Sequence, residues 1–255
     1  MPIAEQAMDL ATEIVRQGLP PIVSAKRDRD MVTDIDVRIE RVVRGFVQEH
    51  CPEVAFLGEE EGNAVGSGEL QWILDPIDGT ANFVKGIPLF SISLALVDGQ
   101  EPVLGIIELP ALGCRYSAAL GQGAYCDDAR IRVRPTARLN DAIVSLGDYA
   151  VGEYADARNL PRLAVTTRLA ERVQRVRMVG SAAIDLAWVA HGRTDAAIIF
   201  GSHPWDIAAG VILVREAGGL VVDADGAKHT MLSGSTVAAS AELLSELLEL
   251  ITDQP

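Results

Sequence analysis

The chain is short of positive charge, cysteine, aromatic residues and long apolar runs, and each shortage removes a class of function. Against 36 Asp and Glu stand only 22 Lys and Arg, a formal net charge of -14. Nucleic acids and acidic membranes select basic surfaces, so neither is an expected partner. A phosphorylated substrate stays open if a bound cation, rather than Lys and Arg, meets its charge. The three cysteines, Cys51, Cys114 and Cys126, are odd in number, widely spaced and without a CxxC pair. That excludes a zinc site and a disulfide framework and points to a reducing, cytoplasmic setting. The four histidines show no HxxxH spacing. No basic-then-apolar leader opens the sequence and no apolar run approaches about 18 residues, so neither a signal peptide nor a membrane span is expected.

What is present is a chain of 255 residues, 49% apolar, long enough for one large domain or two packed halves. It is organised around residues 70–89, LQWILDPIDGTANFVKGIPL. Residues 70–74 are apolar and read as a buried strand that stops at Asp75-Pro76. Pro76 has no N–H for a sheet and a fixed φ, which ends the strand. Asp75 and Asp78 then lie three residues apart across a turn, followed by Gly79-Thr80. Gly79 permits close backbone approach, and Thr80 can cap a short helix over 80–84 whose free N–H groups aim at whatever the carboxylates hold. Hard oxygen ligands beside an anion cradle suit Mg²⁺-assisted phosphate chemistry. An ordinary DPIDG loop would use the same turn formers, so the segment needs support from the rest of the chain.

Residues 3–16 have helical apolar spacing and predict an amphipathic helix ending at Gly18 and Pro20. A short strand over 22–25 and a charged loop over 26–30 lead to a second helix with Val37, Val42, Val43, Phe46 and Val47 as its apolar face. Thr33, Asp34 and Asp36 suit its N-cap; for Thr33 and Asp36 capping and function are both open. A strand over 54–57 delivers Glu59, Glu60 and Glu61, whose mutual repulsion a cation would relieve. Glu59 is the ligand candidate there, and Glu61 reads as solvated. Small polar residues 63–69 predict a mobile loop beside them. Strands over 91–97, 103–109, 114–120, 124–126, 131–133 and 142–146, separated by turn residues, predict a largely antiparallel sheet. The pattern loosens over 147–159, which predicts two halves: 1–147, α+β with the metal-binding motifs, and 148–255, α/β. In the second half a tight loop feeds a helix over 207–217. Asp206, behind Trp205, reads first as that helix's N-cap, yet its strand-to-helix junction matches the placement of Asp75 and Asp78.

Three motifs in order and spacing carry a resemblance: Gly58-Glu59-Glu60, then WILDPIDGTANF over 72–83, then WDIAAG over 205–210. The chain resembles the inositol monophosphatase family of Mg²⁺-dependent, lithium-sensitive phosphatases over nearly its whole length. The resemblance implies a layered αβαβα sandwich, commonly a homodimer. It implies that Glu59, Asp75 and the Ile77 carbonyl hold one Mg²⁺, that Asp75, Asp78 and Asp206 hold a second, and that Glu59 with water holds a weak third. Glu60 and Thr80 would place an attacking water, with Asp36 and Thr33 behind them, and the amides of Gly79 and Thr80 would bind phosphate. Gly180, Ser181 and Ala182 match the family's ring-contacting segment.

The match weakens at the substrate end. Family inositol phosphatases usually carry a glutamate seven residues before the late metal aspartate; here that position is Ile199, which reads as core. The family's Asn-Phe-x-His is Asn82-Phe83-Val84-Lys85. Asp185, mid-helix, reads as surface or capping. The expected protein is a phosphomonoesterase using direct water attack on a small polyol phosphate, with inositol 1-phosphate as first substrate. Histidinol phosphate and fructose 1,6-bisphosphate compete. So does 3′-phosphoadenosine 5′-phosphate, though 5% aromatic content leaves little for base stacking. A regulatory partner of nucleic-acid machinery is the non-enzyme alternative, and it would want a basic face.

Overall fold

The structure, a computed structural model, describes residues 1–17, 21–27, 30–64 and 69–252. Helix α1 (Pro2–Arg16) is followed by a hairpin of β1 (Val23–Arg27) and β2 (Asp30–Thr33), then by helix α2 (Asp34–His50). Next come β3 (Ala55–Gly58), β4 (Gly62–Ala64), β5 (Leu70–Asp78), the short helix α3 (Thr80–Lys85) and β6 (Ser91–Asp98). β7 (Glu101–Leu109), β8 (Cys114–Ala119), β9 (Gly123–Cys126) and β10 (Ala129–Ile131) complete the first half. The rest runs β11 (Ile143–Leu146), α4 (Ala155–Arg172), β12 (Arg175–Arg177), α5 (Ala182–Ala190), β13 (Ala196–Phe200), α6 (Pro204–Glu216), β14 (Leu220–Val222), β15 (Ser235–Ala239) and α7 (Ala241–Thr252).

Eight strands form one sheet in the order β10-β9-β8-β7-β6-β5-β3-β4, antiparallel except where β3 runs parallel to β5. Five form a second, mixed sheet in the order β12-β11-β13-β15-β14. Three apolar clusters stack these sheets with the helices. α1 and α2 cover one face of the large sheet, where Met8, Ile39 and Val43 meet Phe56, Leu94 and Ile106. Complete burial of side chains such as Ile39 and Val43 stabilises the fold by about 1.5–3 kcal/mol each. α5 and α6 lie between the sheets, with Leu186 and Ile212 against Ile107 on one side and Ala197 and Ala238 on the other. α4 and α7 close the stack, Leu169 and Leu247 packing on Val144, Ile198 and Val237. The layers are therefore αβαβα. The first of the middle pair explains itself in sequence: AAIDLAWVA, Asp185 apart, is apolar on every side, as a helix between two sheets should be.

Several local expectations are corrected. β5 does not stop at Asp75 but continues through Pro76 to Asp78, because a bulge lies there. Thr80 is the first residue of α3 rather than its cap; Gly79, left-handed at φ 88°, occupies the cap position. The span 142–146 does not extend the antiparallel sheet: β11 runs parallel to β12 and β13 in the second one. The expected loop at 26–30 belongs partly to the β1–β2 hairpin, its residues 28–29 lying outside the described set. Gly18, Pro20 and most of the expected mobile loop, 65–68, also lie outside it. In α2 the buried stripe is Ile35, Asp36, Ile39, Glu40, Val43 and Val47, while Val42 is exposed.

Candidate active site

The bulge in β5 is what aligns the carboxylates. Asp75 pairs with Ser93 and Asp78 with Ser91, so Pro76 and Ile77 together face the single residue Ile92. Residues three apart on a regular strand point to opposite faces. The extra residue converts that spacing into an effective two, and Asp75 and Asp78 emerge on one face. Pro76 tolerates this place because a bulge leaves a backbone group unpaired.

Both carboxyls are buried, Asp75 at 2% exposure and Asp78 at 9%. Asp75 Oδ1 accepts from the Ile77 N–H at 3.1 Å. Asp78 Oδ2 accepts from the Ser181 hydroxyl at 2.5 Å and from the Ala183 N–H at 2.8 Å, and the Ser91 hydroxyl lies at 3.4 Å. The amino terminus of α5 is thus turned on Asp78, and its positive end favours the ionised carboxyl. Burial nevertheless dominates and pushes the Asp78 pKa up to about 6. Asp75 is held well above the usual range, by burial first and then by the negative charges of Glu59, Asp78, Asp206 and Asp36.

That electrostatic crowd shows which candidates the fold assembles. Glu59 follows β3 directly, its N–H on the Leu74 carbonyl at 3.3 Å, and its charge acts on Asp36, Asp75 and Asp78 alike. Asp36 sits on the first turn of α2 beneath it. There Thr33 caps the helix: Asp36 Oδ2 accepts from the Thr33 N–H at 3.0 Å and from its hydroxyl. Capping and proximity to the cluster therefore coexist in Asp36, whose buried Oδ1 has no hydrogen-bond partner. Burial raises its pKa to about 6. Asp206, third residue of α6, accepts from the His203 N–H at 2.7 Å. α6 is tied back to the strand beside Asp75 by the Ser93 hydroxyl on the Trp205 carbonyl, 3.4 Å.

Gly79 and Thr80 follow immediately. The Thr80 hydroxyl donates to the Ile77 carbonyl at 3.0 Å. A Cβ on Gly79 would lie 2.9 Å from the Gly180 carbonyl oxygen, so the turn and the 180–182 segment touch backbone to backbone. Asn82 fastens that contact, its side-chain amide donating to the Leu89 and Val179 carbonyls at 2.7 and 2.8 Å. Gly180, Ser181 and Ala182 are thus brought to the carboxylates, Ser181 by direct bonding. Glu60 is next to Glu59 on the same turn and is partly exposed. Lys85 is exposed at the far end of α3, and Ile199 is 5% exposed within the central apolar cluster. Asp185 departs from expectation: it is 1% exposed, and burial raises its pKa to about 8. The Ser145 hydroxyl faces it, yet neither carboxyl oxygen completes a hydrogen bond.

The donor set is carboxylate and carbonyl oxygen, which suits a hard cation. Among the described residues no three His, Cys, Asp or Glu side chains stand already gathered to hold one. One expected donor, the Ile77 carbonyl, is backbone and stands outside such a side-chain grouping. The charges around Asp75 and the bare Asp36 Oδ1 fit such a cation.

Five layers with a carboxylate cluster where β3, β5 and α6 converge define a layered protein of the sugar-phosphatase type. Residues 1–254 match the model of the inositol monophosphatase family, and the chain belongs to that family. It is 38% identical over 230 residues to an inositol-1-monophosphatase of Mesorhizobium japonicum, covering 90% of this chain and 85% of that one. It is 36% identical over 227 residues to a fructose-1,6-bisphosphatase/inositol-1-monophosphatase of Thermotoga maritima, covering 88% and 84%. The crystal structure of the extragenic suppressor protein suhB of Bartonella henselae superposes with a TM-score of 0.92 at 31% identity, over 100% of this chain and 99% of that one.

Proposed function

We propose that the protein is a Mg²⁺-dependent phosphomonoesterase that hydrolyses a small polyol phosphate, inositol 1-phosphate first, by direct attack of water. The observation that carries this is the bulge that places Asp75 and Asp78 side by side, directly before the Gly79-Thr80 amides. Glu59, Asp75 and the Ile77 carbonyl are assigned to one ion, Asp75, Asp78 and Asp206 to another, and Glu59 to a weaker third. An ion held by these residues would supply a water of lowered pKa and would offset the charge on the departing ester oxygen. The protein's own part is positioning. Glu60 and Thr80 orient the water; Thr80 gives its proton to the Ile77 carbonyl and so keeps its lone pairs for accepting. Thr33 and Asp36 support them, the Gly79 and Thr80 amides hold the phosphate, and Gly180, Ser181 and Ala182 border the alcohol portion.

In this reading residues 1–147 supply most ligands and 148–255 supply Asp206 and the substrate border. No helix among the described residues is long and apolar enough to cross a membrane, and a cytoplasmic homodimer without nucleic-acid partners completes the proposal. The name of the Thermotoga relative favours fructose 1,6-bisphosphate as second substrate. The deciding experiment is phosphate release with Mg²⁺ from inositol 1-phosphate, inositol 2-phosphate, β-glycerophosphate, histidinol phosphate, fructose 1,6-bisphosphate and 3′-phosphoadenosine 5′-phosphate, with and without lithium. Preference for inositol 1-phosphate and inhibition by lithium are expected. Silence on every ester would end the phosphatase reading.

A further inference from the structure

Beneath the acidic turn that follows β3 lies a charged pair to which the mechanism above gives no part. Glu40, on α2, is completely buried. Its Oε2 accepts from the Glu60 N–H at 2.8 Å and its Oε1 from the Glu61 N–H at 2.9 Å. Arg44, one turn on, donates to Glu40 Oε1 at 2.6 Å and to the Gly62 carbonyl at 2.9 Å, with its guanidinium 4.5 Å over the Phe56 ring. The two side chains together grip three successive backbone groups of the turn between β3 and β4. Gly58 has given up a side chain to them: a Cβ there would lie 2.2 Å from the Glu40 carboxyl.

A buried ion pair is a poor device for stability alone, since apolar residues of similar volume usually serve as well. It is a good device for fixing one backbone geometry, because both partners lose heavily if the turn shifts. A carboxylate is moreover the one side chain that accepts two N–H groups and a guanidinium at once; Gln would turn an NH₂ toward one of them. Arg44 also cancels the charge of Glu40, so the grip adds no net repulsion beneath three consecutive glutamates.

We infer that Glu40 and Arg44 are positioning residues that set the Glu59-Glu60 turn in its metal-binding geometry. This rests on the assignment of Glu59 to a metal ion. The test is Mg²⁺ binding to the full-length protein by calorimetry, with thermal unfolding of the metal-free protein measured beside it. Glu40→Gln should weaken Mg²⁺ binding by about 10–100-fold, the range typical of residues that orient metal ligands. Turnover at saturating Mg²⁺ should fall far less. Arg44→Lys, which keeps the charge but loses the planar guanidinium that lies over Phe56 and reaches Glu40 and Gly62 through Nη2, should weaken binding in the same direction by a smaller factor, and it decides the matter if Glu40→Gln does not fold. A lower melting temperature with wild-type Mg²⁺ affinity in the folded variants would overturn the inference and make the pair purely structural. If the wild-type protein itself takes up no Mg²⁺, the metal assignment falls instead, and the inference with it.

Discussion

The Ser181 hydroxyl donates to Asp78 Oδ2 at 2.5 Å although 103 residues separate them. Ser181 also caps α5, accepting from the Ile184 N–H at 3.3 Å. One hydroxyl thereby joins a helix end to a proposed metal ligand, and the two duties separate by experiment. Ser181→Ala should cost about 0.5–2 kcal/mol of stability as a lost cap. As a lost ligand partner it should weaken Mg²⁺ affinity by about 10–100-fold. Denaturant unfolding and Mg²⁺ titration read these effects independently; a stability loss with unchanged titration would leave Ser181 as a cap only.

Asp78→Asn keeps a carbonyl oxygen for Ser181 and Ala183, so the fold should survive. Mg²⁺-dependent turnover should fall by more than about a hundredfold, exceeding the loss usual for an outer partner. Circular dichroism and phosphate release on the same preparation check this, and near-normal turnover would remove Asp78 from the metal site.

Gly79→Ala places a methyl group 2.9 Å from the Gly180 carbonyl oxygen at a φ of 88°. The left-handed backbone alone costs about 1–2 kcal/mol for a residue with a Cβ. The 180–182 segment must also withdraw, so the substrate KM should rise more than the Mg²⁺ requirement. Equal KM values for variant and wild type would show that this contact does not shape the substrate border.

Asp185 makes stability depend on pH with a definite sign. Unfolded, it releases its proton near 3.8; folded, it keeps it to about 8. The folded state therefore binds the extra proton between those values, and its stability falls as pH rises through them. Asp185→Asn cannot ionise and should show a shallower fall in melting temperature between pH 5 and 8. Identical slopes would mean that Asp185 is already ionised in the folded protein.

The sequence carried most of the helices and strands through apolar periodicity and the carboxylate motifs through short, rigid spacings around Asp75, Asp78 and Asp206; the layered αβαβα arrangement came with the family resemblance that those motifs carry. It misled where a local rule met a tertiary exception. Pro76 should end a strand, and does not, because the bulge excuses its missing N–H. Asp185 reads as a surface acid because mid-helix acids usually are; α5 lies between two sheets, and although Ala182 and Trp188 are partly exposed, Asp185 between them is buried. Glu40 does leave a trace in sequence: it shares a stripe with Asp36, Val43 and Val47 at helical spacing, where an acid is out of place unless it is paired. Asn82 is visible in sequence only as a member of the 72–83 motif and Ser91 only as a strand residue; their contacts are not, since the partners, Val179 and Ser181, are remote in sequence.

The placement of α5 and α6 between the two sheets also governs when the chain becomes competent. Asp78 acquires its partners only when the start of α5 docks, and Asp206 arrives only with α6, after some two hundred residues have been laid down. Contacts of such long sequence separation form late, because loop closure must precede any stabilisation they bring. A nascent chain cut short before α6 would therefore hold the DPIDG motif without a working centre. In refolding, protection of the Ala183 and His203 amides from exchange should accompany the return of activity rather than the first appearance of helix.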